Sequence, residues 1–442
     1  MTTLDFRGDA ITGANVKSAS LFEQALAEFQ CYVGDPVATI DRAIEESPEF
    51  VMAYCLKAYL CLCGTEAGLA PAAEACVGRA EVLKTNARER QHIAALRSLA
   101  HGELEIASER LEDILIEHPR DVLALQAAHL FDFFRGDSRN LRDRVARVRY
   151  AWSSEDPGYH ALLGMHAFGL EECGDYARAE STARRALEMN PRDSWAHHAV
   201  AHVYEMQGRV DKGIEWMRAR ESLWAEDNFF AIHNWWHWAL YHLELDQYGE
   251  VIKLYDRRIR GNGSQVILDL VDASAMLWRL HLRGVDMGQR WGEIAKAWAP
   301  HAQEGYYAFN DLHAMMAFVG AEEWELADAV LQTMTRRLQQ PGSNRAMTRD
   351  VGLPLARGFL AFGRGDYATT VELLRPIRAF AHRFGGSHAQ RDVIDLTLIE
   401  AALRSRQMPL VRRLAAERIA LKPTSRIAKR YGESAMPVRI AA

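Results

Sequence analysis

The chain has 442 residues, 49% hydrophobic and 25% charged, a balance that belongs to a folded protein and excludes long disordered tracts. Its formal charge of −6 comes from 53 basic and 59 acidic residues scattered among one another, which argues against a dedicated nucleic-acid surface. No apolar run approaches the roughly 20 residues of a membrane span, and the polar stretch 1–13 lacks the apolar core of a signal peptide.

Residues 1–20 are read as an N-terminal extension. Beyond them the six cysteines (Cys31, Cys55, Cys61, Cys63, Cys76 and Cys173) form no CxxC pair, and four sit in an apolar helical region. Buried thiols in a reducing, cytoplasmic compartment follow from that spacing. The first readable repeat, "HIAALRSLAHGELEIASERLEDILIEHP", ends at Pro119. The clearest runs from Tyr159 to Pro191: Gly164 and Ala167 mark the close-packed centre of a first helix, and Gly174-Asp175-Tyr176 makes the turn. Ala179, Ala183 and Ala186 then let a second helix pack against the first, and Pro191 stops it. Segments Trp195–Ala219, Ile232–Ile259 and Phe309–Leu338 fit the same frame, the last with Trp324 where Tyr is usual. A further turn falls at Gly365-Asp366-Tyr367, and the last unit closes at Pro423.

This spacing of about 34 residues is the tetratricopeptide pattern. It predicts an all-α, tetratricopeptide-like solenoid of about eight to ten helical pairs, a right-handed superhelix with a concave groove. The repeat domain is expected to be continuous over 21–425, with a C-terminal tail at 426–442. The basic residues of 402–430 are read as the solvated face of the last helices.

Two first helices gather the chemistry. "SWAHHAVAHVYEMQG" puts His198, His202 and Glu205 on one face at i, i+4 and i+7, and "FFAIHNWWHWALYHLE" puts His233 and His237 four apart. Trp195, Trp235, Trp236 and Trp238 would wall the same groove. Three readings stay open. The histidines pack between helices. Or His198, His202, His233 and His237 hold a divalent metal, since HxxxH offers two imidazoles to one ion. Or the cluster binds a polar ligand and moves protons, with His202, Glu205 and His237 as the catalytic candidates. Downstream, His313 falls near an inward position. In "GGSHAQRDVIDL", His388, Arg391 and Asp392 open a helix whose N-terminus could clamp a carboxylate or phosphate, with helix capping as the simpler reading. No GxSxG, phosphate-binding loop, dinucleotide-binding GxGxxG or EF-hand loop is present.

Several of these stretches, among them "SWAHHAVAHVYEMQGRVDKGIEWM", "HNWWHWALYHLELDQYGEVIKLYD", "MLWRLHLRGVDMGQRW" and "SHAQRDV", resemble the tetratricopeptide repeat protein 38 family over roughly residues 20 to 425. The resemblance implies a helical-repeat fold and a cytosolic setting, and it carries no reaction. The matching stretches keep their polar residues here, including Asp256, Arg279, Arg290, Trp291 and Gln390. The expected function is binding of a small polar molecule or short peptide in a His/Trp-lined groove. Its ligand set is His198, His202, Glu205, His233, His237, Trp236, His313, His388, Arg391 and Asp392. The alternative is a non-catalytic scaffold that holds a partner's peptide along the concave face.

Overall fold

One recurring turn builds the helix pairs. At Gly174 the backbone takes φ +80°, the Gly174 amide donates to the Glu171 carbonyl (2.8 Å), and the Asp175 amide reaches back to Leu170 (2.9 Å). This closes the Tyr159–Glu172 helix with a left-handed residue that glycine adopts without steric cost. Asp175 then turns its carboxylate onto the Arg178 amide and starts the Tyr176–Met189 helix. Asp137 and Asp366 cap the Asn140 and Thr369 amides in the same way. Asp246, Glu322 and Arg406 hold the equivalent left-handed position at φ 58–60°, which costs an L-residue about 1–2 kcal/mol.

The computed structural model describes residues 3–435. Within them the chain is an all-α, tetratricopeptide-like solenoid of eleven helical pairs, from Val16–Cys31 with Pro36–Glu46 to His388–Arg404 with Met408–Leu421. That exceeds the eight to ten expected; the first pair turns at Tyr32–Gly34 ahead of its Asp35 cap, and the second turns at Thr65 without the Gly-Asp signature. The only strands among the described residues are Thr3–Leu4 and Ala10–Ile11, paired antiparallel.

Small residues set how closely the helices approach. Ala179, Ala183 and Ala186 are fully buried, as the repeat pattern requires. The tightest approach of the Tyr159–Glu172 helix falls at Gly169 and not at Gly164. A Cβ on Gly169 would lie 2.4 Å from the Leu141 backbone, whereas one on Gly164 meets the Asp193 carboxylate at 3.3 Å. Glycine elsewhere receives aromatic rings: a Cβ on Gly213 would sit 2.2 Å from the Tyr241 ring, and one on Gly320 2.3 Å from Trp291.

Contacts divide the chain into two compact units. The first comprises Met1–Val203, Arg220–Asn234 and Pro341–Ser343, and the second Tyr204–Ala219, Trp235–Gln340 and Asn344–Ala442. In the first unit, the turn after the first helix docks on a distant segment. The Phe229 amide donates to Tyr32 (2.9 Å), the Gly34 amide donates to Asp227 (3.0 Å), and Val33 bridges Asn228. The Tyr32 ring then covers Trp195 and Phe230, with centroids 5.6 and 4.8 Å away. In the second unit, the segment read as a tail forms a helix over Arg426–Ser434 with Ile427, Ala428 and Tyr431 buried. Its Ile427 amide donates to Glu244 (3.3 Å), and Tyr431 donates to Glu400 (3.0 Å). Residues 436–442 of that tail lie outside the described residues.

Gly169→Ala should cost about 1–3 kcal/mol, because backbone and not a flexible side chain must move. Gly164→Ala should cost clearly less. Urea-unfolding midpoints of the two variants measure the difference; equal midpoints would place the close approach elsewhere.

Candidate functional site

In the first unit, the Ser194–Met206 helix opens with Asp193, whose carboxylate accepts the Ala196 amide (2.9 Å) and contacts His160 (2.8 Å). This fixes the helical phase. His197 turns back to the Pro191 carbonyl (2.9 Å), while His198 and His202 share another face with ring centroids 4.4 Å apart. His233, from the Ala231–Glu244 helix, lies 4.9 Å from His198. Nitrogens of His198, His202 and His233 all fall within 4.8 Å of one another.

Aromatic rings enclose the three imidazoles. Phe168 stacks on His198 and meets His202 edge-on, both at 5.3 Å; Trp195 lies 4.9 Å from His198; Phe230 touches His198 and His233 at 5.1 and 5.0 Å. His198 and His202 are 2% and 0% exposed, and His233 is half-buried. These rings, with the Tyr32 ring packed on Trp195 and Phe230, enclose the expected groove wall here. Glu171, fully buried, stands 3.2 Å from His202 Nδ1. Sequence reasoning passed over it. The signal was a Glu-Glu pair placed inside the helix just before the Gly174 turn, where a solvated side chain has no room.

The second unit holds a cavity of about 50 Å³, room for a few water-sized groups. Glu205, Glu244, Arg279, Asp392, Arg418 and Lys422 supply its charges. Glu205 contacts His237 Nδ1 (3.1 Å), with Lys422 3.8 Å from its other oxygen. Arg418 grips Asp392 with two bonds of 2.7 and 3.1 Å. Burial alone would raise the Asp392 carboxyl, but Arg418, Lys422 and Arg279 outweigh it and hold it well below the usual carboxylate range.

Arg279 is unusual. It is 2% exposed, and its guanidinium donates only to the backbone carbonyls of Ala275, Ala389 and Gln390. Among the described residues it forms no ion pair. Burial pushes it down to about 10, against the pull of Asp392, Glu205 and Asp272, so it stays charged at neutral pH. The Trp236 ring supports it from the side at 5.1 Å.

His198, His202 and His233 converge in the first unit; Glu205 and Asp392 line the cavity of the second, with His237 against Glu205. Trp236 buttresses Arg279 and is absent from the cavity lining. His313 is buried and bonds the Phe309 carbonyl within its own helix (2.7 Å). His388 is exposed. The helix N-terminus there is occupied by a capping box between Ser387 and Gln390, and Arg391 donates to the Gly386 carbonyl of its own turn. That geometry leaves the expected anion clamp already filled by the chain. Arg418 and Lys422, read as solvated, turn inward instead: a 3.6-residue period puts them one turn apart on the face that meets Asp392 and Glu205.

These residues lie in a helical-repeat protein of tetratricopeptide-like fold. The tetratricopeptide-repeat family profile matches residues 182–215, a span that includes His198, His202 and Glu205. The chain is also 26% identical over 109 residues to cellulose synthase 1 operon protein C of Komagataeibacter xylinus, a match covering 25% of this chain and 8% of that protein. Among solved structures it is similar to the human IFIT1 dimer with m7Gppp-AAAA (TM-score 0.42, 13% identity, 98% of this chain and 95% of that one). It is likewise similar to yeast Tom70 (TM-score 0.35, 11% identity, 95% and 87%). No helix of the described residues is long and apolar enough to cross a membrane.

Buried histidines set the acid limit. Burial, with Arg144 and His166 adding to it, pushes His129 down to about 3 from 6.5, and burial pushes His197 and His313 down to about 4. The unfolded chain therefore takes up these protons first. Stability present above pH 6.5 is lost as pH falls toward 3–4, at up to ~1.4 kcal/mol per pH unit for each group. His129→Leu should flatten that acid slope relative to the parent protein in urea titrations at pH 7, 6 and 5. An unchanged slope would mean His129 charges in the folded state.

Proposed function

We propose that the second unit binds a small zwitterionic molecule of the amino-acid kind. The buried Arg279 guanidinium, charged yet without an ion pair at the cavity, is the observation that carries this reading. A buried guanidinium whose direct partners are carbonyls alone carries a desolvation cost, and an incoming carboxylate would relieve part of it. Lys422 and Arg418 add to the positive field. Glu205 and Glu244 on the same cavity give an ammonium group its acceptors, and the mixed signs favour a ligand carrying both charges over a simple anion. The Glu205–His237 contact supplies a carboxylate–imidazole pair at the cavity edge, the natural place for proton transfer if the ligand is turned over.

The resemblance to the tetratricopeptide repeat protein 38 family supports a shared polar set, since Glu205, Arg279 and Asp392 fall in its matching stretches. The six cysteines, unpaired and mostly buried, support a reducing, cytoplasmic setting. A second reading, a scaffold for a partner protein, rests on the tetratricopeptide match at 182–215, because repeats of this type present helical surfaces suited to peptides.

Calorimetric titration of the full chain with free amino acids, their N-acetyl and amide derivatives, and inorganic phosphate tests the proposal. Free amino acids should bind, and blocking either end should weaken binding at least about tenfold, as loss of a charged hydrogen-bond partner does. Glu205→Gln should lose preference for the free amine, and Lys422→Met should weaken the carboxylate. Arg279→Gln should abolish binding. Absence of heat from every free amino acid, with retained binding of unstructured peptides, would overturn the zwitterion site in favour of the scaffold.

A further inference from the structure

We infer that the first unit holds a divalent transition-metal ion between His198, His202 and His233. None of these three histidines lines the cavity of the ligand reading above.

The donor set comes first. Three neutral imidazoles suit zinc, cobalt, nickel or copper and suit the hard, oxygen-seeking calcium and magnesium poorly. Their nitrogens already lie within 4.8 Å of one another. A tetrahedral ion with metal–nitrogen bonds of about 2.0–2.1 Å asks for nitrogens roughly 3.4 Å apart. Rotation of the rings about their terminal torsions supplies the remaining contraction, since that torsion is soft. His198 and His202 come from successive turns of one rigid helix, so the helix itself fixes two ligands in register.

The surroundings fit as well. Glu171 stands 3.2 Å from His202 Nδ1, the placement of a carboxylate that orients a ligating histidine, fixes its tautomer and leaves Nε2 for the ion. Both side chains are fully buried. Phe168, Trp195 and Phe230 form an apolar shell that limits competing water. His233 is half-buried and leaves a route for the ion from solvent.

The test uses the untagged full chain, stripped with chelator and then titrated with cobalt(II) or zinc(II) chloride alone. One ion should bind per chain, and cobalt should give the intense visible bands of tetrahedral nitrogen coordination. His198→Ala, His202→Ala and His233→Ala should each weaken zinc at least about a hundredfold, beyond the 10–100-fold usual for an orienting partner. Glu171→Gln should fall within that lower range and shift the cobalt bands. Should His202→Ala fail to fold, the half-buried His233→Ala carries the test. Sub-stoichiometric cobalt in the parent protein, an octahedral spectrum, or zinc affinity unchanged in His233→Ala would each overturn the inference.

Discussion

A single helix pair of this length leaves one apolar stripe uncovered, and the requirement to bury that stripe against the next pair organises everything else in the molecule. The left-handed turn is what makes each pair repeatable. It reverses the chain in two residues, satisfies the last carbonyls of one helix, and hands the next residue to the following helix as its cap. Where glycine fills this turn the geometry is free of strain; at Asp246, Glu322 and Arg406 the surrounding packing holds a costlier backbone in place. Glycines inside the helices then set how near the elements come, at Gly169 by backbone and at Gly213 and Gly320 by an aromatic ring.

This burial has a consequence for the polar residues of the first helices. Side chains that would line a groove in an isolated run of repeats become interior once other segments of the same chain cover them. In the first unit the covering piece is the turn at Tyr32, which lies on Trp195 and Phe230. In the second it is the C-terminal helix, whose Ile427 lines the cavity beside Glu244. Titratable groups held in such places are costly unless they are paired, and the two units meet that cost differently. The first surrounds imidazoles, which can remain neutral, with aromatic rings. The second opposes carboxylates with guanidinium and ammonium groups, and leaves the buried Arg279 bonded to carbonyls.

Much of this was legible in the residues. The Gly-Asp-Tyr turns, the alanines of the second helices and the proline stops established the repeat, because each acts through local backbone geometry. The helical phase placed His198 with His202 and His233 with His237 for the same reason. What misled was surface assignment. Arg418 and Lys422 look like solvated charge, and His388, Arg391 and Asp392 look like one clamp. Yet Arg391 closes its own turn, and Asp392 faces Arg418 across 26 residues. Glu171 escaped notice because its importance comes from neighbours distant along the chain, and Arg279, noted as a polar residue, gave no local sign of its burial.

The sequence by itself determined the fold class, the turn positions and the face each histidine occupies, since all three follow from interactions within a few residues along one helix. Only the tertiary structure decided which faces stay open, which charges meet, and that Arg279 is buried without an ion pair. Those outcomes depend on contacts between segments far apart in the chain, such as Asn228 with Cys31, 197 residues apart. No local periodicity encodes which segment will cover which face.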